Sequence, residues 1–292
     1  MPAAVFVINH TLPRARGHLP ALCRAAAIRV GWEPEIVPTD KADAGVTAAR
    51  EAAASGAGVV IAVGGDGTVR GCAEALAGTS VPLGIVPLGT GNLLARTLGI
   101  PPYPRVALDI ALGPGAVTRR IDLATADGEP FTAMAGIGLD AAVVASTRLK
   151  HRLGWFAYAV SGATHLADSP ARFTIRLDGG TPLERLARSV VAGNSGLLPG
   201  GFALLPDARP DDGLLDIGIL APRGPLGWPR LATRVLTNRD VTDRQLERLQ
   251  ARTVEITTDA PLPREVDGEV IAPSRTLTVT VRPAALTVRV PG

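Results

Sequence analysis

The sequence predicts an N-terminal α/β domain with a parallel, doubly wound sheet, followed by a mainly antiparallel β domain. Two observations predict this fold class. In the first third of the chain, short apolar segments alternate with helical segments that end at glycine, which is typical of consecutive β-α-β units. After about residue 122, strand-like segments follow one another at short spacing with turn residues between them, which is typical of antiparallel sheets. A length of 292 residues accommodates two domains of ordinary size.

Four apolar segments, each followed by a helical pattern, make up the N-terminal domain, which we place at residues 1–122. The predicted strands are "AVFVIN", "EPEIVP", "GVVIAV" and "PLGIVP". The unbroken apolar character of the third predicts a strand that is buried on both faces. For the second helix we expect Thr39 or Asp40 as N-cap and Gly56 just past the last turn.

The C-terminal domain is expected over residues 123–283. Its first element is a hairpin with Asp127 and Gly128 at the turn. A long helical segment over residues 141–166 follows, and then six further strand-like segments. These are "ARFTIRLDG", "LARSVVAGN", "GLLDIGIL", "ARTVEITT", "PREVDGEV" and "RTLTVTVRP".

The composition permits a sizeable core, and its excess of arginine suits either an anionic partner or an ordinary solvated surface. Hydrophobic residues make up 46% of the chain and charged residues 20%, so disorder is not expected. The net charge is +3, and the basic residues are arginines except for Lys41 and Lys150. Arginine binds phosphates and other oxyanions through its planar, bidentate fork. The two longest uncharged stretches are broken by glycines and prolines, so we expect a protein that is soluble or at most peripheral to a membrane.

Further negative observations narrow the compartment and the kind of site. The two cysteines, Cys23 and Cys72, lie far apart without metal-ligand spacing, as expected in a reducing cytoplasm. The N-terminus has no basic start or cleavage site, and we interpret it as a first strand and not as a signal peptide.

The stretch "AVGGDGTVRG", residues 62–71, places a glycine-rich loop at the end of a predicted buried strand. In open α/β sheets, ligands bind at this carboxyl edge. Glycines expose backbone N–H groups to an anion, and the start of the next helix adds a favourable dipole. The carboxylate of Asp66 would repel a phosphate, unless a cation lies between them or the carboxylate handles a proton. A tight turn with a polar tip is the structural alternative.

A second glycine-rich loop, "PLGTGNLLAR", residues 87–96, follows the next strand and offers Thr90 and Asn92. Two such loops at adjacent strand ends favour one shared site of nucleotide size over two unrelated turns. The sequence contains no G-x-x-x-x-G-K-[ST] motif, which excludes a P-loop enzyme. It also has no G-x-G-x-x-G after the first strand, which disfavours ordinary dinucleotide binding.

Together with three later stretches, these loops resemble the diacylglycerol kinase and sphingosine kinase superfamily, nearest its soluble bacterial lipid kinases. The later stretches are "AGIGLDAAV", "GNSGLLPGGFALLPDARPDDGLLDIGIL" and "VDGE", and they occur in the family's order over most of the chain. NAD kinases and 6-phosphofructokinases share the "GGDGT" theme but lack the "PDARPDDGLLD" segment, so they are ranked lower.

The resemblance implies that ATP binds between a Rossmann-like N-terminal domain and a β-rich, lipid-binding domain. It also implies that a last strand, residues 284–292, returns to the first domain. The residues it assigns to ATP are Asn9, Thr39, Gly64, Gly65, Asp66, Gly67, Thr68, Val69, Arg70 and Thr90. The chain departs from the family pattern in its longer first loop, from Asn9 to Gly17, and in Arg70 and Gly71, where the family has Asn and Glu. Arg70 is interpreted either as a phosphate contact or as a surface residue.

Two carboxylate-bearing turns in the second half have a structural and a functional interpretation. The resemblance assigns Mg²⁺ to the Asp212 side chain with the backbone carbonyls of Arg209 and Leu214, whereas Asp-Gly is also a common turn pair. It makes Glu269, in "VDGE", the general base for the acceptor hydroxyl. Asp66 would then hold or orient Mg²⁺–ATP, and Asp66 as the base is the alternative.

The resulting functional hypothesis is a cytoplasmic, ATP-dependent lipid kinase that acts on diacylglycerol or a related lipid. The basic and aromatic residues of the segment 148–158 suit transient contact with an anionic membrane surface or a helix packed on the core. We expect no nucleic-acid partner and leave a homodimer and attachment to the inner membrane face open. The alternatives are a kinase of a soluble acceptor, such as NAD or a sugar, and a non-catalytic nucleotide-binding regulator.

Overall fold

The computed structural model describes residues 1–138, 170–198, 203–222, 227 and 245–292. The chain divides into two units, the first formed by Met1–Leu123 and Pro283–Gly292 and the second by Ala124–Arg282. The predicted helical segment over residues 141–166, which includes the basic and aromatic segment 148–158, lies outside the described residues. Among the described residues, no helix combines the length and the apolar character needed to cross a bilayer.

Unit 1 is an α/β domain. Its strands are β1 (Ala3–Asn9), β2 (Glu33–Thr39), β3 (Val59–Gly64) and β4 (Leu83–Pro87). Its helices are α1 (Leu19–Arg29), α2 (Val46–Ala54), α3 (Asp66–Leu76), α4 (Leu93–Thr97) and α5 (Pro104–Leu112), with a 3₁₀ turn at Pro13–Ala15. All residues of β3 are buried, as predicted from its unbroken apolar sequence, and all residues of β4 are buried as well.

The sheet of unit 1 has the strand order β4-β3-β1-β2, and these neighbours pair in parallel. The chain first moves from β1 outward to β2 and then continues on the other side of β1 with β3. The strand order therefore reverses between β1 and β3, where an open α/β sheet forms its ligand crevice. The end of a long last strand, β14 (Glu269–Val290), adds to the same sheet, and its Val288 pairs in parallel with Leu83 of β4.

The start of α2 differs from the sequence prediction. The helix begins at Val46, not after Thr39 or Asp40, because Ala44 and Gly45 have positive φ angles of 53° and 89°. A left-handed backbone cannot continue a right-handed α-helix. The segment before α2 is instead a turn, and this turn packs against α3.

Gly71 of α3 allows this close packing. A Cβ atom on Gly71 would lie 2.5 Å from the backbone oxygen of Ala44. The departure from the family pattern at this position therefore has a steric reason, since any side chain on residue 71 would displace the turn that precedes α2.

Unit 2 is a β domain, as predicted. Its first strands are β5 (Val117–Ala126), which begins in unit 1, β6 (Glu129–Phe131) and β7 (Met134–Gly138). They are followed by β8 (Ala171–Leu177), β9 (Leu183–Ala187), β10 (Ser189–Gly193), β11 (Leu215–Leu220), β12 (Leu246–Ala251) and β13 (Thr253–Val266), and then by the first part of β14.

Antiparallel pairing connects these strands in the order β12-β11-β10-β7-β13-β14. β8 pairs with β13 and β9, and β5 pairs with β6, again antiparallel. The predicted hairpin turn at Asp127 and Gly128 is confirmed, with φ angles of 49° and 91°. Phe131, Phe173 and Ile137 are fully buried in the core of this unit.

We predict that Gly71→Ala destabilises the protein although alanine is the better helix former. The added methyl group meets backbone, which cannot rotate away, so we expect the free energy of unfolding to fall by about 1–3 kcal/mol. Gly67→Ala is the matched control, because Gly67 lies in the same helix and a Cβ there would have nothing within 4 Å. Urea denaturation of both variants is the measurement, and an equal effect of the two substitutions would contradict the steric argument.

Candidate active site

The two glycine-rich loops predicted from the sequence lie side by side at the carboxyl ends of β3 and β4. Gly64 pairs with Pro87 in the parallel register, and the Leu88 N–H donates to the Gly64 carbonyl at 2.8 Å. A Cβ atom on Gly89 would lie 2.8 Å from the Cα of Gly65. The loops thus touch through backbone atoms, and only a residue without a side chain fits at Gly89.

The carboxylate of Asp66 holds these two loops together. Its Oδ2 accepts a hydrogen bond from the Asn92 N–H at 2.8 Å, and its Oδ1 accepts one from the Leu93 N–H at 2.6 Å. The first N–H groups of a helix have no hydrogen-bond partner within the helix. At the start of α4, the carboxylate of Asp66 is the acceptor for two of them. From the sequence, Asp66 could face a cation, handle a proton or stand at the tip of a tight turn; in the structure both of its carboxylate oxygens accept backbone hydrogen bonds.

Asn9 connects the end of β1 to the same region. Its side-chain amide donates to the Thr68 hydroxyl at 3.2 Å, and its carbonyl oxygen accepts from the backbone and the hydroxyl of Thr11 at 3.1 and 2.6 Å. Because β1 and β3 flank the point where the strand order reverses, Asn9 and Thr68 lie where a doubly wound sheet binds its ligand. Thr68 is almost fully buried, and it packs so closely on Gly64 that a Cβ there would lie 2.5 Å from its hydroxyl oxygen.

The remaining predicted nucleotide residues differ in what they can offer. Val69 is only 4% exposed, and its N–H donates to the Gly65 carbonyl at 3.1 Å. Gly67 borders open space, Arg70 is half-buried and Thr90 is exposed. Thr39 is buried at the end of β2, where its hydroxyl lies 3.5 Å from the carboxylate of Asp43.

The sequence analysis missed Asp43, which fixes the turn before α2. Its carboxylate accepts hydrogen bonds from the Gly45 N–H at 3.1 Å and from the N–H and hydroxyl of Thr47 at 3.1 and 2.7 Å. These bonds, first among them the one from the Thr47 hydroxyl, lower the pKa of Asp43 below its usual value. The spacing Asp-x-x-x-Thr was the available signal, but the predicted N-cap at residue 39 or 40 obscured it.

In unit 2, Glu269 follows the two-residue turn between β13 and β14. Asp267 and Gly268 have φ angles of 49° and 79°, and Val266 pairs with Glu269 across the turn. This is the hairpin turn that the Asp-Gly pair predicts. The Glu269 residue itself is exposed.

Asp267 fixes this turn to the segment before β7. Its Oδ2 accepts from the backbone and hydroxyl of Thr132 at 3.0 and 3.2 Å, and its Oδ1 accepts from the N–H groups of Ala133 and Met134 at 2.8 and 3.1 Å. The Asp267 N–H donates to the Met134 carbonyl at 2.8 Å, and the buried Glu265 accepts from the Gly268 N–H at 2.9 Å. The backbone that carries Glu269 is therefore held on both sides of the turn.

The predicted magnesium residues lie in the segment before β11. Asp212 Oδ1 accepts from the Leu214 N–H at 3.0 Å, and Arg209 lies 3.6 Å from Asp211. Burial raises the pKa of Asp216 to about 6, and the negative charges of Asp212 and Asp207 raise it further. The Oδ2 atom of Asp216 is buried and accepts no hydrogen bond from a described residue.

No group of three or more His, Cys, Asp and Glu side chains in the described ranges is arranged to hold a metal ion. The assigned set, one carboxylate with two backbone carbonyls, does not need such a group. Oxygen donors of this kind suit Mg²⁺, and an excess of carboxylates with an unpaired buried oxygen favours a nearby cation. The segment therefore fits the ion chemically.

Comparison with protein families matches both halves of the chain. The model of the diacylglycerol kinase catalytic domain matches residues 4–126, and the model of the YegS C-terminal NAD kinase beta sandwich-like domain matches residues 133–290. A probable lipid kinase YegS-like of Pseudomonas fluorescens is 36% identical over 89% of this chain and 87% of its own length. A protein of the same description from Pseudomonas aeruginosa is 37% identical over 92% of this chain and 85% of its own.

Solved structures confirm the predicted fold. A putative diacylglycerol kinase from Bacillus anthracis has a TM-score of 0.82 at 24% identity, covering 98% of this chain and 94% of that one. A second structure described in the same way has a TM-score of 0.79 at 23% identity, with coverages of 98% and 96%.

We predict that Asp66→Asn loosens the two glycine-rich loops. An amide has only one accepting oxygen, so one of the two backbone N–H groups loses its partner. We expect a loss of about 1–3 kcal/mol in the free energy of unfolding, measured by urea denaturation. Glu74→Gln is the control, because Glu74 is an exposed carboxylate on the same helix. Equal stability of the two variants would show that the Asp66 contacts contribute nothing.

Proposed function

The chain belongs to the family that joins a diacylglycerol kinase catalytic domain to a YegS C-terminal domain, and on that premise we propose that it is an ATP-dependent lipid kinase. It transfers the γ-phosphate of ATP to the hydroxyl of diacylglycerol or a related lipid. The observation that carries the proposal is the pair of glycine-rich loops, joined by Asp66, at the reversal of strand order in unit 1.

ATP binds to unit 1 in this proposal through the first loop and the start of α3, residues 64–70, and through the second loop at Thr90. The N-terminus of α3 directs its dipole towards the phosphates. Asn9 and Thr39 support the loop from the ends of β1 and β2. Asp66 has the role of an organiser, because its hydrogen bonds fix the second loop against the first while its oxygens retain lone pairs for a metal-bound water.

Glu269 is the proposed general base. Its carboxylate accepts the proton of the lipid hydroxyl while the hydroxyl oxygen forms a bond to the γ-phosphorus and the bond from that phosphorus to the β-phosphate oxygen breaks. The products are ADP and a lipid phosphate. The support for this role is the rigid turn, because Asp267 and Glu265 fix the backbone on both sides of the residue that carries the base.

Mg²⁺ in the unit 2 segment would be held by Asp212 with the carbonyls of Arg209 and Leu214. A divalent ion on the nucleotide supplies the charge neutralisation that phosphoryl transfer requires. In unit 2, a cation would relieve the repulsion between Asp212 and its neighbouring carboxylates, so the ion there orders the segment that leads into β11.

The proposal is tested by transfer of labelled phosphate from [γ-³²P]ATP in mixed micelles. Diacylglycerol, other hydroxylated lipids and NAD are offered in parallel, and we expect label in a lipid product only. Label in NAD instead would identify a kinase of a soluble acceptor. ATP binding without transfer to any acceptor would identify a non-catalytic regulator, and either result would refute the lipid kinase.

In the same assay we predict that Glu269→Gln lowers kcat at least about 100-fold, because general-base catalysis contributes about 10²–10⁴-fold. The affinity for ATP should be unchanged. The chain offers a close control in Glu129→Gln, since Glu129 is an exposed glutamate that follows the Asp127-Gly128 turn with the same Asp-Gly-Glu sequence. Equal activity of the two variants would remove Glu269 from the mechanism.

A further inference from the structure

A cavity of about 480 Å³ opens beside the second glycine-rich loop in unit 1. One wall is the longer first loop, with Leu12, Pro13 and Arg14, and the other is formed by residues 88–92 with Arg96 and Pro102. The volume is within the range of sites for small molecules, about 300–1,000 Å³. The 3₁₀ turn Pro13–Ala15, which lies in the part of the first loop that departs from the family pattern, carries Arg14 to this cavity.

The two charged groups among the described residues that line the cavity are both arginines. Arg14 makes no hydrogen bond or ion pair with any described residue. Arg96 donates from Nε to the Gly91 carbonyl at 2.8 Å, and its two terminal nitrogens have no partner among the described residues. Among the described residues of the lining there is no carboxylate, so the two guanidinium groups have no counter-charge within this part of the lining. Such a pair attracts a multivalent oxyanion.

Asn92 gives an independent indication of a ligand. Its residue is only 8% exposed, and its amide nitrogen donates to the Gly89 carbonyl at 2.8 Å. Its Oδ1 atom is buried and accepts no hydrogen bond from the described part of the chain. Buried polar atoms almost always have a hydrogen-bond partner. We therefore expect a bound molecule in the cavity to donate a hydrogen bond to Asn92 Oδ1.

Three polar side chains, Arg14, Arg96 and Asn92, define what a ligand of this cavity must offer. The ligand needs phosphate oxygens for the two arginines and a hydroxyl donor for Asn92. Part of it must also fit against the apolar walls formed by Leu12 and Leu88. A nucleoside triphosphate has phosphates, ribose hydroxyls and a flat base. A phospholipid headgroup also carries a phosphate. The cavity lies beside the contact of Gly65 with Gly89, where the two glycine-rich loops meet, and this position favours a nucleotide as its ligand.

We propose that this cavity is a polyphosphate subsite in which Arg14 and Arg96 bind the phosphates of ATP and Asn92 Oδ1 accepts a hydrogen bond from a nucleotide hydroxyl. The inference rests on the proposed function and adds residues to its site. It also accounts for a difficulty at the glycine-rich loops, which have no lysine and contain the negative charge of Asp66. Arg14 and Arg96 supply the positive charge that a P-loop lysine supplies in other nucleotide-binding proteins.

The test is equilibrium binding of MgATP, MgADP and adenosine to the full chain by titration calorimetry. We expect Arg14→Gln to weaken MgATP binding at least about tenfold, because a charge-assisted contact is lost, and to leave adenosine binding unchanged. Arg14→Lys should recover part of the affinity. Arg24→Gln is the control, since Arg24 is an exposed arginine of α1 that does not line the cavity.

Wild-type MgATP affinity in Arg14→Gln would overturn the inference. If that variant also binds phosphatidylglycerol vesicles more weakly than the wild type does, with phosphatidylcholine vesicles as the control, the subsite belongs to a lipid headgroup. Failure of the lipid kinase proposal is distinguishable from failure of the subsite. In that case ATP binding would still depend on Arg14, but the wild-type protein would phosphorylate no lipid.

Discussion

The arrangement of unit 1 depends on the two hydrogen bonds that Asp66 accepts from the backbone of Asn92 and Leu93. Each of the two glycine-rich loops is short of side chains that could hold it in place, because glycine contributes flexibility and no contacts. The carboxylate at the start of α3 compensates for this, since it binds the start of α4 and brings Gly65 and Gly89 into contact. One carboxylate thus joins the two glycine-rich loops at the ends of neighbouring strands.

Aspartate carboxylates that accept backbone hydrogen bonds also fix other turns in both units. Asp43 binds the backbone at the start of α2, and Asp267 binds three consecutive N–H groups, the last of which is on the first residue of β7. Hydrogen bonds to an ionised carboxylate are about twice as strong as neutral ones, so a single aspartate can immobilise a turn that local propensity leaves mobile. The three residues lie where the chain changes direction beside a proposed functional residue, which links the rigidity of the fold to the proposed chemistry.

The sequence predicted the fold class, the four strands β1 to β4 and both glycine-rich loops, because apolar periodicity and glycine positions are local signals. It did not predict β9 or β12. It did not predict the start of α2, because the left-handed backbone of Ala44 and Gly45 and the bonding of Asp43 are set by packing against Gly71. The partners of Asp66 lie 26 and 27 residues away, and no local pattern reveals them. Likewise, "DGE" occurs at both Asp127 and Asp267 with similar turns, and only long-range contacts distinguish the two.

The central claim, that the strand ends of β1, β3 and β4 form the nucleotide site, is tested most directly by hydrogen exchange of the full chain with and without MgATP. The account predicts slower exchange in three segments, residues 9–16, 64–71 and 88–96, because these backbone N–H groups and their supporting turns become ordered by the phosphates. Unchanged exchange in the three segments at saturating MgATP, with protection elsewhere in the chain, would contradict it.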